Sequence, residues 1–310
     1  MRSLITKVAA AVAALVVFLS ALLIQEPGML IGVYQPNSPG SYGQVTAFAA
    51  QAGFSPRILS YYSTFTQPFA SAFATEAASN GATVLVQWQP RGTTSAAIAS
   101  GADDAYIHKF AQAVLSDNWQ VIISYGQEMN GNWYSWGMGG TDGSSAATYI
   151  AAYRHIVSIF REEGVNNVTW LWDPNVSYGG SPKLSTLYPG DAYVDWVGLD
   201  GYYSTPATTF TTLFTPSVTE LRTFTSKPLL IAESGVTGTA GPGQLEGLFA
   251  GASLAGAVGI VYFDQAQSGD PMHQDWRLED NPANMAAFTA AVQQYGVRPL
   301  TWTGSAGITG

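Results

Sequence analysis

From Met29 to Tyr295 the chain repeats one rhythm: a short β-branched or aromatic run, a polar turn, then an Ala-rich stretch with helical spacing. This alternation constrains the fold because successive strands separated by helices are joined by crossovers, and crossovers build parallel sheets. The strand candidates are Met29–Gln35, Arg57–Tyr62, Thr83–Trp88, Gln120–Tyr125, Val168–Trp172, Val194–Asp200, Pro228–Ala232 and Gly259–Phe263. Helical spacing marks Tyr42–Ala52, Ala70–Ser79, Asp103–Ser116, Ala146–Glu163, Thr211–Phe224, Gln244–Ala255 and Asn284–Tyr295; the stretch before Tyr193 is less clearly helical. A doubly wound open sheet shows the same alternation, but Gln35-Pro36-Asn37-Ser38-Pro39-Gly40 after the first strand is no glycine-rich phosphate turn. Eight strands without that turn point to an α/β fold of the closed (β/α)₈ TIM-barrel type, a single domain over residues 26–300 whose reactive groups belong at the carboxyl ends of the strands.

The flanks read differently. Arg2 and Lys7 precede an apolar run from Val8 to Leu19, resumed after Ser20 to Ile24, the pattern of an export segment over residues 1–25. No convincing small-x-small cleavage site follows, so the run serves either as a cleaved signal or as an uncleaved anchor that tethers the chain through residues 8–24. Either way the barrel is expected outside the cytoplasm. Residues 301–310 form a small, polar tail.

With 12 Lys plus Arg and a net charge of −9, the chain has no basic stripe to neutralise phosphates, so a nucleic-acid partner is excluded and a neutral ligand fits better. Cysteine is absent, which removes disulfides, thiolate nucleophiles and thiolate metal sites. His108, His155 and His273 are far apart, the first two in helix candidates facing away from the barrel mouth, so no metal and no cofactor is expected. A monomer is the expected state.

Two carboxylates stand where apolar strands give way to loops: Glu128 after Gln120-Val121-Ile122-Ile123-Ser124-Tyr125, and Glu233 after Pro228-Leu229-Leu230-Ile231-Ala232. Cleaving a glycosidic bond with retention needs a proton donor for the leaving oxygen and a nucleophile about 5–5.5 Å from it, and two rim glutamates across a barrel can meet that need. Each can instead be a structural partner of an arginine or a helix terminus.

The context of these residues resembles glycoside hydrolase family 26. Gly126-Gln127-Glu128-Met129-Asn130-Gly131-Asn132-Trp133-Tyr134-Ser135-Trp136-Gly137 is similar to its acid/base motif, Tyr188 to Tyr202 to its sixth strand and approach, and Ala232-Glu233-Ser234-Gly235 to its nucleophile strand. The likeness runs from the first strand to Asp275-Trp276-Arg277-Leu278 and implies Glu128 as acid/base and Glu233 as nucleophile. One departure is Gln127, where the family usually carries His. A glutamine amide can still donate to a sugar hydroxyl or a carboxylate, but it does not titrate.

The resemblance implies further that Tyr202 points its hydroxyl at Glu233 and that Trp133 walls the sugar site. Trp88, Trp136 and Trp172 are stacking candidates, with core packing the alternative for each. Asn175, in the turn Trp172-Asp173-Pro174-Asn175, can bind hydroxyls; Asp200 can order Tyr202 or a neighbouring subsite; Phe263 can supply an aromatic floor. Trp276 is a weaker candidate. The expected activity is endo-cleavage of a β-linked polysaccharide, β-mannan first because it is the commoner activity in the family. Mixed-linkage or β-1,4-glucan comes close behind, because Ser135-Trp136-Gly137 is closer to the glucan-cleaving members. The alternative is a carbohydrate-binding envelope protein that keeps the groove and has lost catalysis.

Overall fold

The computed structural model describes residues 28–266 and 274–296, together with the backbone of a short antiparallel pair, Thr301–Trp302 with Ile308–Thr309. The apolar segment 1–25 lies outside the described residues. Eight parallel strands close into a barrel in chain order: β1 (Leu30–Tyr34), β2 (Ile58–Thr64), β3 (Thr83–Gln89), β4 (Val121–Tyr125), β5 (Val168–Trp172), β6 (Trp196–Asp200), β7 (Leu229–Ser234) and β8 (Ala257–Phe263). β1 closes the ring on β8 through five consecutive pairs from Leu30↔Gly259 to Tyr34↔Phe263.

Side chains alternate across each strand, so every strand feeds two cores. Inward positions Leu30, Ile58, Leu85, Ile122, Leu171, Trp196, Leu230 and Val261 fill the bottom of the barrel. Outward positions such as Val84, Val86, Ile123, Trp170, Val197 and Leu229 pack under the helices in the larger cluster. Above the inner apolar layer the inward positions turn polar: Ser60, Gln87, Ser124, Asp173 and Asp200 are all buried there. This change of chemistry marks the carboxyl end of the barrel as the end that does something other than pack.

The helices are α1 (Gly43–Ala52), α2 (Ser71–Ser79), α3 (Ser95–Ala99), α4 (Asp104–Asp117), α5 (Ala146–Glu162), α6 (Phe210–Leu213), α7 (Thr215–Leu221), α8 (Pro242–Leu254) and α9 (Pro282–Tyr295). The long helix α5 starts on a capping box in which Ser145 and Thr148 satisfy each other's backbone N–H groups. Three features differ from the sequence expectation. The helix expected over 211–224 breaks at Phe214, because Pro216 in the first turn of α7 has no N–H and its ring crowds the preceding turn. The five-residue α3, capped by Thr94 accepting from the Ala97 N–H, is too short for its periodicity to show. The β5–β6 connection holds only a 3₁₀ turn, Leu184–Thr186. His108 bonds Glu163 and His155 bonds Asp104, both at 2.6 Å, so these two histidines lie in the helix layer away from the barrel mouth.

Candidate active site

Glu128 leaves β4 through a forced backbone turn. Gly126 (φ 58°) and Glu128 (φ 53°) both adopt the left-handed region, which a glutamate enters only when its surroundings hold it there. The holding contacts are visible. The Glu128 N–H donates to the Asp173 carbonyl at 2.7 Å, and the Glu128 carbonyl accepts from Gly131 at 2.9 Å. Its carboxyl oxygen Oε2 accepts the Trp133 indole N–H at 2.6 Å. Trp133 folds back across Gly131, where a Cβ would sit 2.4 Å from the indole ring, so only glycine fits at that point of the Asn-Gly-x-Trp sequence.

Glu233 reaches the same mouth by a different device. Leu230 and Ala232 point inward, so strict alternation would turn Glu233 outward toward the helices. The β6–β7 register shifts after Leu199, pairing Asp200 with Glu233 and skipping Ala232, and this irregularity re-aims the carboxylate into the barrel mouth. There the Tyr62 hydroxyl donates to Oε2 and the Tyr202 hydroxyl to Oε1. Around the pair stand Tyr34, stacked on Phe263 at 4.9 Å, and Trp276, 4.4 Å from Tyr202. Asp264 ties down the segment carrying Trp276 by accepting from the Leu278 N–H at 2.7 Å and from Gln35 Nε2 at 2.5 Å.

The glycosyl hydrolase family 26 model matches residues 45–233, more than half of the chain, and its span takes in both glutamates. The chain belongs to this family. Among curated relatives, endoglucanase H of Acetivibrio thermocellus is 26% identical over 295 residues, 86% of this chain and 30% of that protein. A mannan endo-1,4-β-mannosidase of Bacillus subtilis is 30% identical over 118 residues, 37% of this chain and 30% of that protein. The chain thus spans less than a third of the length of either. Among solved structures, the Bacillus subtilis mannanase man26 superposes with a TM-score of 0.64 at 16% identity, over 85% of each chain, which establishes a common fold.

Within this family 26 barrel the two glutamates sit in unlike surroundings. Both are 8% exposed. Burial pushes the Glu128 carboxyl up to about 8, the nearby Glu233 charge adds to the rise, and the Trp133 N–H offsets part of it. Burial raises Glu233 too, but two phenolic donors favour its ionised form. One group is therefore fitted to hold a proton and the other to release it. Because Trp133 stabilises ionised Glu128, Trp133→Phe is expected to move the alkaline limb of the kcat/KM profile to higher pH than in the native protein. A pH–rate series on both proteins checks this; a limb that stays or moves down refutes it.

The other sequence candidates separate into three groups. Tyr202 and Phe263 line the mouth, and Trp133, 46% exposed, forms its open wall with Tyr178 at 5.7 Å. Trp88 and Trp172 do not: both point outward, fully buried. Trp88 stacks on Phe110 at 4.1 Å, and Trp172 packs against Tyr188 at 5.0 Å, so neither can stack on a sugar. Trp136, Gln127, Asn175 and Asp200 support the site from beneath or beside it. Buried Trp136 donates to the Gln127 carbonyl at 2.9 Å, which pins the loop carrying Glu128 and corrects its reading as a stacking surface. Gln127 is 1% exposed with no protein partner for its amide, so a direct contact to sugar is replaced by a buried position behind the acid/base loop. The Asn175 backbone exchanges two bonds with the Asn130 side chain, at 2.8 and 2.9 Å, and Asp200 is wholly buried below the mouth. Tyr62, Tyr34, Asn130 and Tyr178 were not singled out from the sequence. For Tyr62 and Tyr34 a signal existed: they share the inward parity of Ile58 and Leu30. Among the described residues no cluster of three His, Asp or Glu side chains is arranged to hold a metal.

Proposed function

We propose that this chain is a retaining, endo-acting β-glycanase that cleaves a β-linked polysaccharide backbone, β-mannan first, with Glu128 as acid/base and Glu233 as nucleophile. The observation that carries the reading is the division of labour between the two carboxyls: one desolvated with a single indole donor, the other held by two phenols. In the first step Glu233 attacks the anomeric carbon while the Glu128 proton passes to the departing glycosidic oxygen, leaving a covalent glycosyl-enzyme and a free chain end. In the second, Glu128 takes a proton from water as that water displaces Glu233 from the anomeric carbon, which restores both groups and the original anomeric configuration. The proton affinity of Glu128 falls once glycosylation removes the Glu233 charge, so the acid of the first step becomes the base of the second.

The exposed wall of Trp133 and Tyr178, the Tyr34–Phe263 stack and the Tyr202–Trp276 pair suit the apolar faces of neutral sugars. A second reading, β-glucan as substrate, is favoured by the extent of the match to endoglucanase H, which covers 86% of this chain where the mannosidase match covers 37%. Incubation with mannan, glucomannan, mixed-linkage glucan, cellulose and β-xylan, with products sized over time, decides between them. Short oligosaccharides of mixed length from mannan are expected. Release of monosaccharide or disaccharide alone contradicts endo action, and cleavage of glucans with mannan untouched transfers the assignment to the second reading.

A further inference from the structure

Two acidic side chains in the barrel play no part in the reaction just described. Asp173, following β5, and Asp200, the last residue of β6, are both 0% exposed and occupy neighbouring inward positions at the ends of adjacent strands. Room for them is made by Gly198, where a Cβ would fall 2.2 Å from Asp173 Oδ1. Gln87 Nε2 donates to Asp173 Oδ2 at 2.9 Å, whereas Asp173 Oδ1 and both Asp200 oxygens have no N–H or O–H donor among the described residues.

The groups facing this pair are themselves acidic. The titratable groups that the charge of this pair acts on or that act on it are Glu128 and Glu233 at the β4 and β7 ends, Tyr62 of β2, Tyr134 of the loop after β4, and Tyr149 and Tyr153 of α5. Among the described residues the ion pairs involve other carboxylates and reach neither Asp173 nor Asp200. Two ionised carboxylates buried at neighbouring positions, with no ion-pair partner among the described residues, repel strongly, and such pairs resolve the repulsion by retaining a proton between them.

We propose that Asp173 and Asp200 share one proton throughout the working range of the enzyme, carried on Asp200 and donated to Asp173 Oδ1, and that this pair positions the acid/base residue. The donor direction follows from the partners. Asp173 already accepts from Gln87 and serves as the carboxylate, while neither Asp200 oxygen has a protein donor among the described residues. The mechanical link is equally direct. The Asp173 carbonyl holds the N–H of Glu128 at 2.7 Å. The next residues are stitched to β6, Asp200 N–H to the Pro174 carbonyl at 3.1 Å and Val176 N–H to the Asp200 carbonyl at 2.9 Å. Ionising the pair would force apart the segment on which the left-handed turn at Glu128 rests. The single negative charge left on the pair also favours the protonated form of Glu128, in the direction that Asp173 acts on it. Asp200 is thus a positioning residue, and its catalytic consequence rests on the assignment of Glu128 proposed above.

Infrared difference spectra of the full chain test the proton without turnover. A carboxylic-acid carbonyl band sensitive to D₂O is expected in the Glu128→Gln protein, and it should vanish when Asp200→Asn is added, because Asp173 is then left as the carboxylate. Kinetics test the positioning. Asp200→Asn keeps an N–H donor for Asp173 and should recover most of the kcat that Asp200→Ala loses, with KM little changed. The double variant Asp173→Asn/Asp200→Asn removes the charge and should lower the alkaline limb by roughly one pH unit. The proposal is overturned if no such band exists, if the band survives in Asp200→Asn, if Asp200→Asn folds but is as slow as Asp200→Ala, or if the double variant leaves the limb in place. A protein inactive on every glycan but still showing the band would sink the catalytic reading and leave the shared proton standing.

Discussion

In the presence of azide, Glu128→Ala and Glu233→Ala are expected to give opposite anomers of the glycosyl azide from one activated aryl β-glycoside. Glu128→Ala lacks the proposed proton donor, so polysaccharide cleavage should fall by about two to four orders of magnitude, the usual worth of general acid–base assistance. An aryl leaving group needs little protonation, so the first displacement by Glu233 still occurs and releases a burst of phenol. The glycosyl-enzyme then waits, because water has lost its base. Azide needs none, and its attack on the intermediate yields the β-azide. Glu233→Ala has no nucleophile, leaving azide to enter the space below the anomeric carbon and displace the phenol directly, with inversion to the α-azide. Identification of the two azides by nuclear magnetic resonance checks the assignment. The same anomer from both variants, or rescue of neither, would show that the two roles are wrongly distributed.

Removing the two phenols that clasp Glu233 should rank next in effect. Hydrogen bonds to a charged group contribute about 1.5–3 kcal/mol, so Tyr62→Phe and Tyr202→Phe are each expected to lower kcat/KM by roughly ten- to a hundredfold. The pH profile should distinguish this from simple loosening of the site. Both hydroxyls hold the Glu233 pKa down against the rise that burial causes. Without them the pKa climbs, and the reaction, which needs Glu233 ionised, fails at a higher pH on the acid side. The acidic limb of kcat/KM should therefore move up in each variant and furthest in the double variant, while the alkaline limb set by Glu128 stays within the same range. An unmoved acidic limb would mean that the tyrosines pack against Glu233 without stabilising its charge.

The eight strands were legible because each is a short apolar run cut off by turn chemistry, and the observed strand limits lie within about two residues of those read from the sequence. What a run of hydrophobic residues does not disclose is its parity. Trp172 and Asp173 are neighbours in sequence, and because Asp173 enters the barrel, Trp172 must leave it; the same logic sends Gln87 inward and Trp88 outward. Taking tryptophans near strand ends as sugar platforms ignored that rule, which was available from the residues. The turn of Glu233 into the mouth was not available. Alternation from Leu230 places it on the wrong face, and only the slipped register against Asp200 corrects this, a property of two strands about 30 residues apart in sequence. The motif around Glu128 identified the family, yet the reasons for its glycines and buried tryptophan emerge only from close approaches such as Gly131 to Trp133.

The clasp on Glu233 joins three distant parts of the chain: Tyr62 from β2, Tyr202 just past β6 and the carboxylate itself from β7. Glu128 comes from β4, on a turn held by the carbonyl of Asp173 after β5. No half of the ring, and no run of strands shorter than β2 to β7, contains the whole arrangement. In a refolding sample, secondary structure counts strands and helices that have formed anywhere, whereas the proposed turnover counts only molecules in which β2 and β4 to β7 stand in their native places. The site is in that sense a gauge of how far the six strands from β2 to β7 have come together.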